Sequence, residues 1–187
     1  MERRSFLQGL SLTWLTSWLP WHTQAAPVES MKAVEDLQKN WKSLLADGAE
    51  IATSAAPLKR SNPEWKKVLN PAAYDVLREE GTERPGTSPL NAEKRPGVFV
   101  CAGCSLPLFT SAMKYESGTG WPSFFTAIPD AFGTSTDHKI LYPRTEYHCA
   151  RCGGHHGHLF NDGPPPTGKR YCNNGVALRF IPKQAKA

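Results

Sequence analysis

Five cysteines divide into two chemistries by their spacing. Cys101 and Cys104 form one Cys-x2-Cys knuckle, and Cys149 and Cys152 form a second. Two such knuckles supply the four soft ligands of a closed, tetrahedral structural zinc site. Gly103 and Gly153 sit in or beside the knuckles, where a tight turn is needed for two sulfurs to converge. The expectation is one structural Zn2+ per chain, pinning loops separated by the long segment 105–148. The spacing by itself leaves iron, or two disulfides, as alternatives. Cys172 stands alone in Arg170-Tyr171-Cys172-Asn173-Asn174. A lone thiol downstream of His155 and His158, with Arg170 at hand to favour the thiolate, is a candidate nucleophile. The competing readings are a buried small hydrophobe for the cysteine and a solvated loop for the histidines.

These residues need elements to position them. From Val98 onward, short apolar runs are broken by Gly, Pro, Asn and Asp. Strands are expected at 98–100, 106–109, 123–125, 140–142, 145–148, 158–160 and 177–180. If 158–160 and 170–172 are neighbouring strands, His155, His158 and Cys172 share one face or rim. Upstream, Ser30 can cap a helix with apolar positions Met31, Val34, Leu37, Trp41 and Leu44, ending at Asp47-Gly48. Segment 49–60 reads as a linker without periodicity. Asn62-Pro63 and Asn70-Pro71 each read as an N-cap followed by the first helical residue, the second helix stopping at Gly81. The fold class expected is mainly β (α+β), a small antiparallel two-sheet domain with N-terminal helices and a four-cysteine zinc staple.

The chain has 187 residues, room for one domain and its extensions. Its formal net charge is +5, and the basic residues are scattered, so no nucleic-acid face is expected. Arg3-Arg4-Ser5-Phe6-Leu7 and the weakly apolar stretch from Leu10 to Trp21 have the form of a twin-arginine export signal. Small residues at Thr23 and Ala25 place cleavage after Ala25, an uncleaved membrane anchor being the alternative. The division expected is a signal over 1–25, a helix and linker over 26–60, and the principal domain over 61–182. Partners would then include the twin-arginine export machinery, with the protein reaching the periplasm folded and its zinc already bound.

A third constellation, Ser117-Gly118-Thr119-Gly120-Trp121-Pro122-Ser123-Phe124, sets an aromatic ring between glycine and proline, suited to wall a pocket for a small apolar group. With Gly81–Pro85, both knuckles, Arg144-Thr145-Glu146, His155-x-Gly157-His158, Asp162-Gly163-Pro164, Pro166-Thr167-Gly168 and Arg170-Tyr171-Cys172-x-Asn174, the chain resembles the methionine sulfoxide reductase B family. The resemblance runs from about Asn62 to Phe180. It implies two antiparallel sheets, a zinc remote from the active site, and reduction of methionine-(R)-sulfoxide, free or in proteins.

By position, the resemblance makes Cys172 the nucleophile and Trp121 the wall for the substrate ε-methyl group. His155, His158 and Asn174 would surround the sulfoxide, with Asp162 and Arg170 as supporting charges. Many members carry a resolving cysteine where this chain has Thr119. With four cysteines committed to metal, recycling of a Cys172 sulfenic acid would fall to an external thiol, such as a thioredoxin-type reductant. Two other classes compete: a Cys-His-Asn thiol hydrolase using Cys172, His158 and Asn174, and a zinc-ribbon binding module in which Cys172 is dispensable.

Overall fold

The computed structural model describes residues 29–139 and 142–184. Three α-helices lead into nine strands: α1 (Met31–Lys39), α2 (Asn62–Val68) and α3 (Pro71–Glu79), then β1 (Gly97–Cys101), β2 (Pro107–Thr110), β3 (Lys114–Tyr115), β4 (Ser123–Phe124), β5 (Phe132–Asp137), β6 (Arg144–Cys149), β7 (His155–Phe160), β8 (Arg170–Asn173) and β9 (Leu178–Pro182). They form two antiparallel sheets, a small one in the order β2-β1-β9 and a large one in the order β3-β4-β8-β7-β6-β5. The expected mainly β, two-sheet class with N-terminal helices is what the chain adopts.

The inner faces of the two sheets meet over an aromatic core. Phe109 stacks on Phe124 with ring centroids 3.9 Å apart, and Phe99 meets Phe124 edge-on at 5.1 Å. All three rings are fully buried, which stabilises the fold by roughly 1.5–3 kcal/mol for each. Helices α2 and α3 contribute Trp65, Leu69, Tyr74, Val76 and Leu77 to the same core.

The helix boundaries differ from expectation in instructive ways. Ser30 does cap α1, its Oγ accepting from the Ala33 amide at 3.2 Å, but the helix ends at Lys39. Asn40 breaks it, and Trp41–Leu44 continues as a tighter 3-10 turn that still packs Trp41 and Leu44 on the core. The cap of α2 is Ser61 rather than Asn62: the Glu64 carboxylate accepts from the Ser61 amide at 2.7 Å, completing a capping box. Asn70 caps α3 as expected, its Oδ1 accepting from Ala73, and Glu80 in the left-handed conformation ends that helix one residue before Gly81.

Segment 49–60 is extended but fastened. The Ala52 amide donates to Ser105, beside the first knuckle, and the Leu58 amide to Arg151, inside the second. Arg151 returns a hydrogen bond to the Ser54 carbonyl at 3.0 Å. The expected linker is therefore a strap across both knuckles, and Leu58, Ala55 and Ile51 pack partly against the core.

Strand β5 was not among the expected strands, and β8 was only conditional there. The β5 sequence Phe-Gly-Thr-Ser-Thr-Asp lacks alternating apolar residues because it is the edge of the large sheet and four of its six residues are exposed. The strand expected over 140–142 falls largely on residues outside the described ones, and Tyr142 is an exposed bend. The signal segment also lies outside them. Among the described residues no helix is long and apolar enough to cross a membrane.

Candidate active site

The chemistry sits on the outer face of the large sheet. Pairing places Ser123 opposite Cys172, Cys172 opposite His158, His158 opposite Glu146, and Glu146 opposite Ser135. One row of side chains therefore crosses five strands, with the lone cysteine near one end. Strand alternation puts Arg170 on the same face as Cys172, while Tyr171 and Asn173 turn inward. Tyr171 joins the aromatic core, and Asn173 Oδ1 accepts from the buried Tyr147 hydroxyl at 2.9 Å.

The expected shared face of His155 and His158 needs a correction in its cause: the two are three apart, so strand alternation by itself would send them to opposite faces. A bulge corrects this. The β6–β7 register runs Tyr147 to Gly157 and then His148 to His155, leaving His156 unpaired. His155 and His158 thereby come together, ring centroids 5.5 Å apart, and His156 points into the core against Tyr147 and Phe132. Gly157 is obligatory here: its φ is +153°, and a Cβ would lie 2.0 Å from the Cys172 carbonyl oxygen.

A cavity of about 120 Å³ is lined by Cys172, His158, Trp121, Asn174, Thr82, Arg144, Gly157 and Phe160. A larger groove of about 670 Å³ runs along α1, lined by Ala33, Leu37, Trp41, Leu44 and Thr110 among others, with no cysteine or histidine in its lining. Trp121 is held by its indole N–H, which donates to the Glu83 carbonyl at 3.1 Å. Glu83 is itself locked: its amide donates to Asn174 Oδ1 at 3.0 Å, and its carboxylate accepts from the amides of Gly175 and Val176. The Asn174 amide group also donates to the His156 carbonyl at 3.0 Å. Asn174 thus touches the cavity while tying the 81–85 segment to the strand that carries Cys172, and its Nδ2 keeps a second N–H beyond the one given to His156. Gly120 permits the close approach of that segment, since a Cβ there would meet Pro85 and Gly86 within 3 Å.

His158 Nε2 lies 2.7 Å from Asp137 Oδ2. Asp137 also accepts from the Lys139 amide at 2.7 Å and from Arg144 Nη2. The Lys139 amide first, then His158 and Arg144, hold this carboxyl well below the usual range. An ionised carboxylate can only accept, so Nε2 carries the proton and Nδ1 is the nitrogen that can take up a second one. His155 sits behind His158, only 2% exposed, and does not line the cavity. Burial, with His158 next to it, pushes His155 down to about 4, so it is a neutral imidazole.

Burial raises the Cys172 thiol above its ordinary pKa, and the Arg170 charge and the Thr119 hydroxyl partly offset that. Arg170 forms a two-point pair with Asp162, at 2.8 and 2.7 Å, and lies 4.2 Å over the Phe160 ring. Asp162 is largely exposed and reaches the site only through Arg170. Thr119 belongs to a hydroxyl chain, Thr119 to Ser117 to Ser123, each step 2.8 Å.

The four remaining cysteines form a cluster of their own. Cys101 ends β1 in the small sheet and Cys149 ends β6 in the large one, with Cys104 and Cys152 in the adjoining turns. Their sulfurs all lie within 4.8 Å of one another, with Cys101–Cys152 at 3.7 Å and Cys104–Cys149 at 3.5 Å. A tetrahedron of thiolates about a metal at ~2.3 Å has edges of roughly 3.8 Å, so the donor set fits such an ion. All five cysteines are unbridged.

Comparison with known proteins agrees with this architecture. A SelR domain matches residues 69–182. The peptide methionine sulfoxide reductase MsrB of Methanosarcina barkeri is 52% identical over 124 residues, covering 66% of this chain and 87% of that protein. The chain belongs to the methionine sulfoxide reductase B family. The MsrB of Pseudomonas putida strain W619 is 50% identical over 64% of this chain and 91% of its own, and that of Agrobacterium fabrum 47% over 67% and 93%.

Asp137, Arg144, Glu146 and Glu83 received no role from the sequence. Arg144 and Glu146, two apart on one strand, carried a usable signal, since residues so spaced share a face. Asp137 had none, because its strand has no apolar pattern.

Proposed function

We propose that this protein reduces methionine-(R)-sulfoxide to methionine, with Cys172 as nucleophile, His158 as acid and Trp121 seating the ε-methyl group. The observation that carries this reading is the juxtaposition of an unbridged thiol, a carboxylate-held imidazole and an indole around one small cavity. The Cys172 sulfur attacks the sulfoxide sulfur while the Nδ1–H of protonated His158 donates to the oxygen. The S–O bond breaks and the protonated oxygen departs as water, leaving the two sulfurs joined. Water then attacks Cys172 Sγ, the S–S bond breaks, and methionine leaves as the thioether with Cys172 a sulfenic acid. Two external thiols then return Cys172 to the thiol, releasing water and one disulfide. The tetrad Cys101, Cys104, Cys149 and Cys152 would hold one Zn2+, which joins the two sheets and takes no part in the reaction.

Thr119 supports an external reductant, because no described cysteine besides the metal tetrad accompanies Cys172. With one equivalent of racemic substrate and no reductant, half a turnover is expected, consuming the R epimer alone. Mass spectrometry should find Cys172 trapped by dimedone and no disulfide. Equal loss of both epimers, or a disulfide from Cys172 to a tetrad cysteine at catalytic speed, contradicts the reading.

Asp137→Asn should lower kcat by about 10²–10⁴-fold, the range of a general-acid contribution, with little change in KM. The amide removes the charge that stabilises imidazolium while keeping the shape. A loss of less than tenfold would remove Asp137 from the mechanism.

The twin-arginine run Arg3-Arg4 and the apolar stretch after it support export to the periplasm. Replacing both arginines by lysine should leave the protein in the cytoplasmic fraction, and unchanged periplasmic yield would refute that route.

A further inference from the structure

Beside the row that carries His158, three potential ligands converge that the proposed reaction does not use as metal donors. Glu146, His148 and His155 each present an atom within 4.8 Å of the other two. Glu146 Oε2 is 3.3 Å from His155 Nδ1, and Glu146 Oε1 is 3.9 Å from His148 Nε2. These separations are close to the edge of a tetrahedron around a first-row divalent ion bound by imidazole and carboxylate, roughly 3.4 Å for metal–ligand bonds near 2.1 Å. We propose that Glu146, His148 and His155 form a second transition-metal site, with two imidazoles and one carboxylate as ligands, on the outer face of the large sheet.

Two observations carry this beyond proximity. The first is His155: it is 2% exposed, and neither of its ring nitrogens has a hydrogen-bond partner, although Glu146 faces Nδ1. Buried imidazole nitrogens are satisfied by hydrogen bonds or by ions, and an ion between His155 and Glu146 supplies a partner for Nδ1. The second is the β7 bulge, which turns His155 onto the face where His148 and Glu146, two apart on β6, already point. The third ligand gives access: the His148 side chain is a quarter exposed, so an ion can enter from solvent.

The charges beside the site nearly balance, Glu80 being negative and Lys139 positive. Glu80 lies close enough to both histidines to interact electrostatically with them, and its own partner is Lys139 at 2.6 Å. Ser135 bridges Glu146 Oε1 and His148 Nε2, at 2.7 and 2.8 Å, and would give up the His148 contact to the metal. A second triad, Asp137, Glu146 and His158, is also compact. It is the poorer choice, because Asp137 and His158 already bond each other and Arg144 brings a positive charge onto the same carboxylate. Imidazole and carboxylate donors select zinc, copper or nickel over magnesium and calcium, and the site is distinct from the all-thiolate tetrad in that respect.

The test uses the full protein, first shown by elemental analysis to hold one metal in the cysteine tetrad. Calorimetric titration with Zn2+ should reveal one further equivalent. His148→Ala should weaken that equivalent at least about 100-fold, since losing even an outer partner of a ligand costs 10–100-fold. The tetrad metal should stay bound in that variant. His155→Gln should weaken the added equivalent similarly, and His148→Ala, at a partly exposed position, keeps the test open if the buried change prevents folding. Absence of a further equivalent, or one that persists in His148→Ala, overturns the proposal.

Discussion

Cys172→Ser should abolish sulfoxide reduction, by about 10⁴-fold or more, while the protein stays folded and keeps its metal. The size follows from the chemistry: a serine oxygen can neither attack the sulfoxide sulfur at neutral pH nor end as an oxidised acid that a thiol can reduce. Loss of a nucleophile elsewhere costs on the order of 10⁶-fold in kcat, with the rest of the site intact. Cys172 pairs with both Ser123 and His158 through its backbone, so the exchange of sulfur for oxygen leaves β8 in register. The assay is methionine release in a single turnover, with circular dichroism and metal content read on the same sample. Residual activity within tenfold of the parent would place the chemistry elsewhere. It would also revive the binding-module reading, for which Cys172 is dispensable.

Cys101→Ser, in contrast, should release the tetrad metal and unfold much of the domain at about 37 °C. Cys101 is fully buried at the end of β1, and its tetrad partners Cys149 and Cys152 flank the end of β6. Removing one thiolate leaves three to be accommodated as thiols, Cys149 and Cys152 buried and Cys104 partly so, and it frees the strap at 49–60 along with both knuckles. Structural zinc binding is worth around 10 kcal/mol in small domains, comparable with the total stability of a protein this size. A loss of roughly 5 kcal/mol or more is therefore expected. Thermal unfolding with and without a chelator, alongside elemental analysis, reads it directly. A metal-free protein that melts where the parent does would show that the sheets hold together without the ion. The comparison with Cys172→Ser is internal: the same exchange of one atom should cost activity at one cysteine and stability at the other.

That division of labour was legible in the residues. Knuckle spacing assigned four cysteines to metal and left the fifth over, because two ligands so closely spaced can reach one ion within a single turn. The Gly-Trp-Pro run and the two Asn-Pro helix starts were equally local, since glycine and proline act on their own backbone angles. What lay beyond the sequence was every relation set by register. The facing of His155 and His158 depends on a bulge created by pairing with β6, and spacing alone would have separated them. Asn174, which lines the cavity, is also tied to Glu83, a partner 91 residues away. Asp137 was invisible because an exposed edge strand needs no apolar alternation, yet it fixes the tautomer of His158. Residue types and short spacings thus determined which groups could do chemistry. The tertiary structure decided which of them meet, because hydrogen-bond pairing between distant strands, rather than local preference, sets where each side chain points.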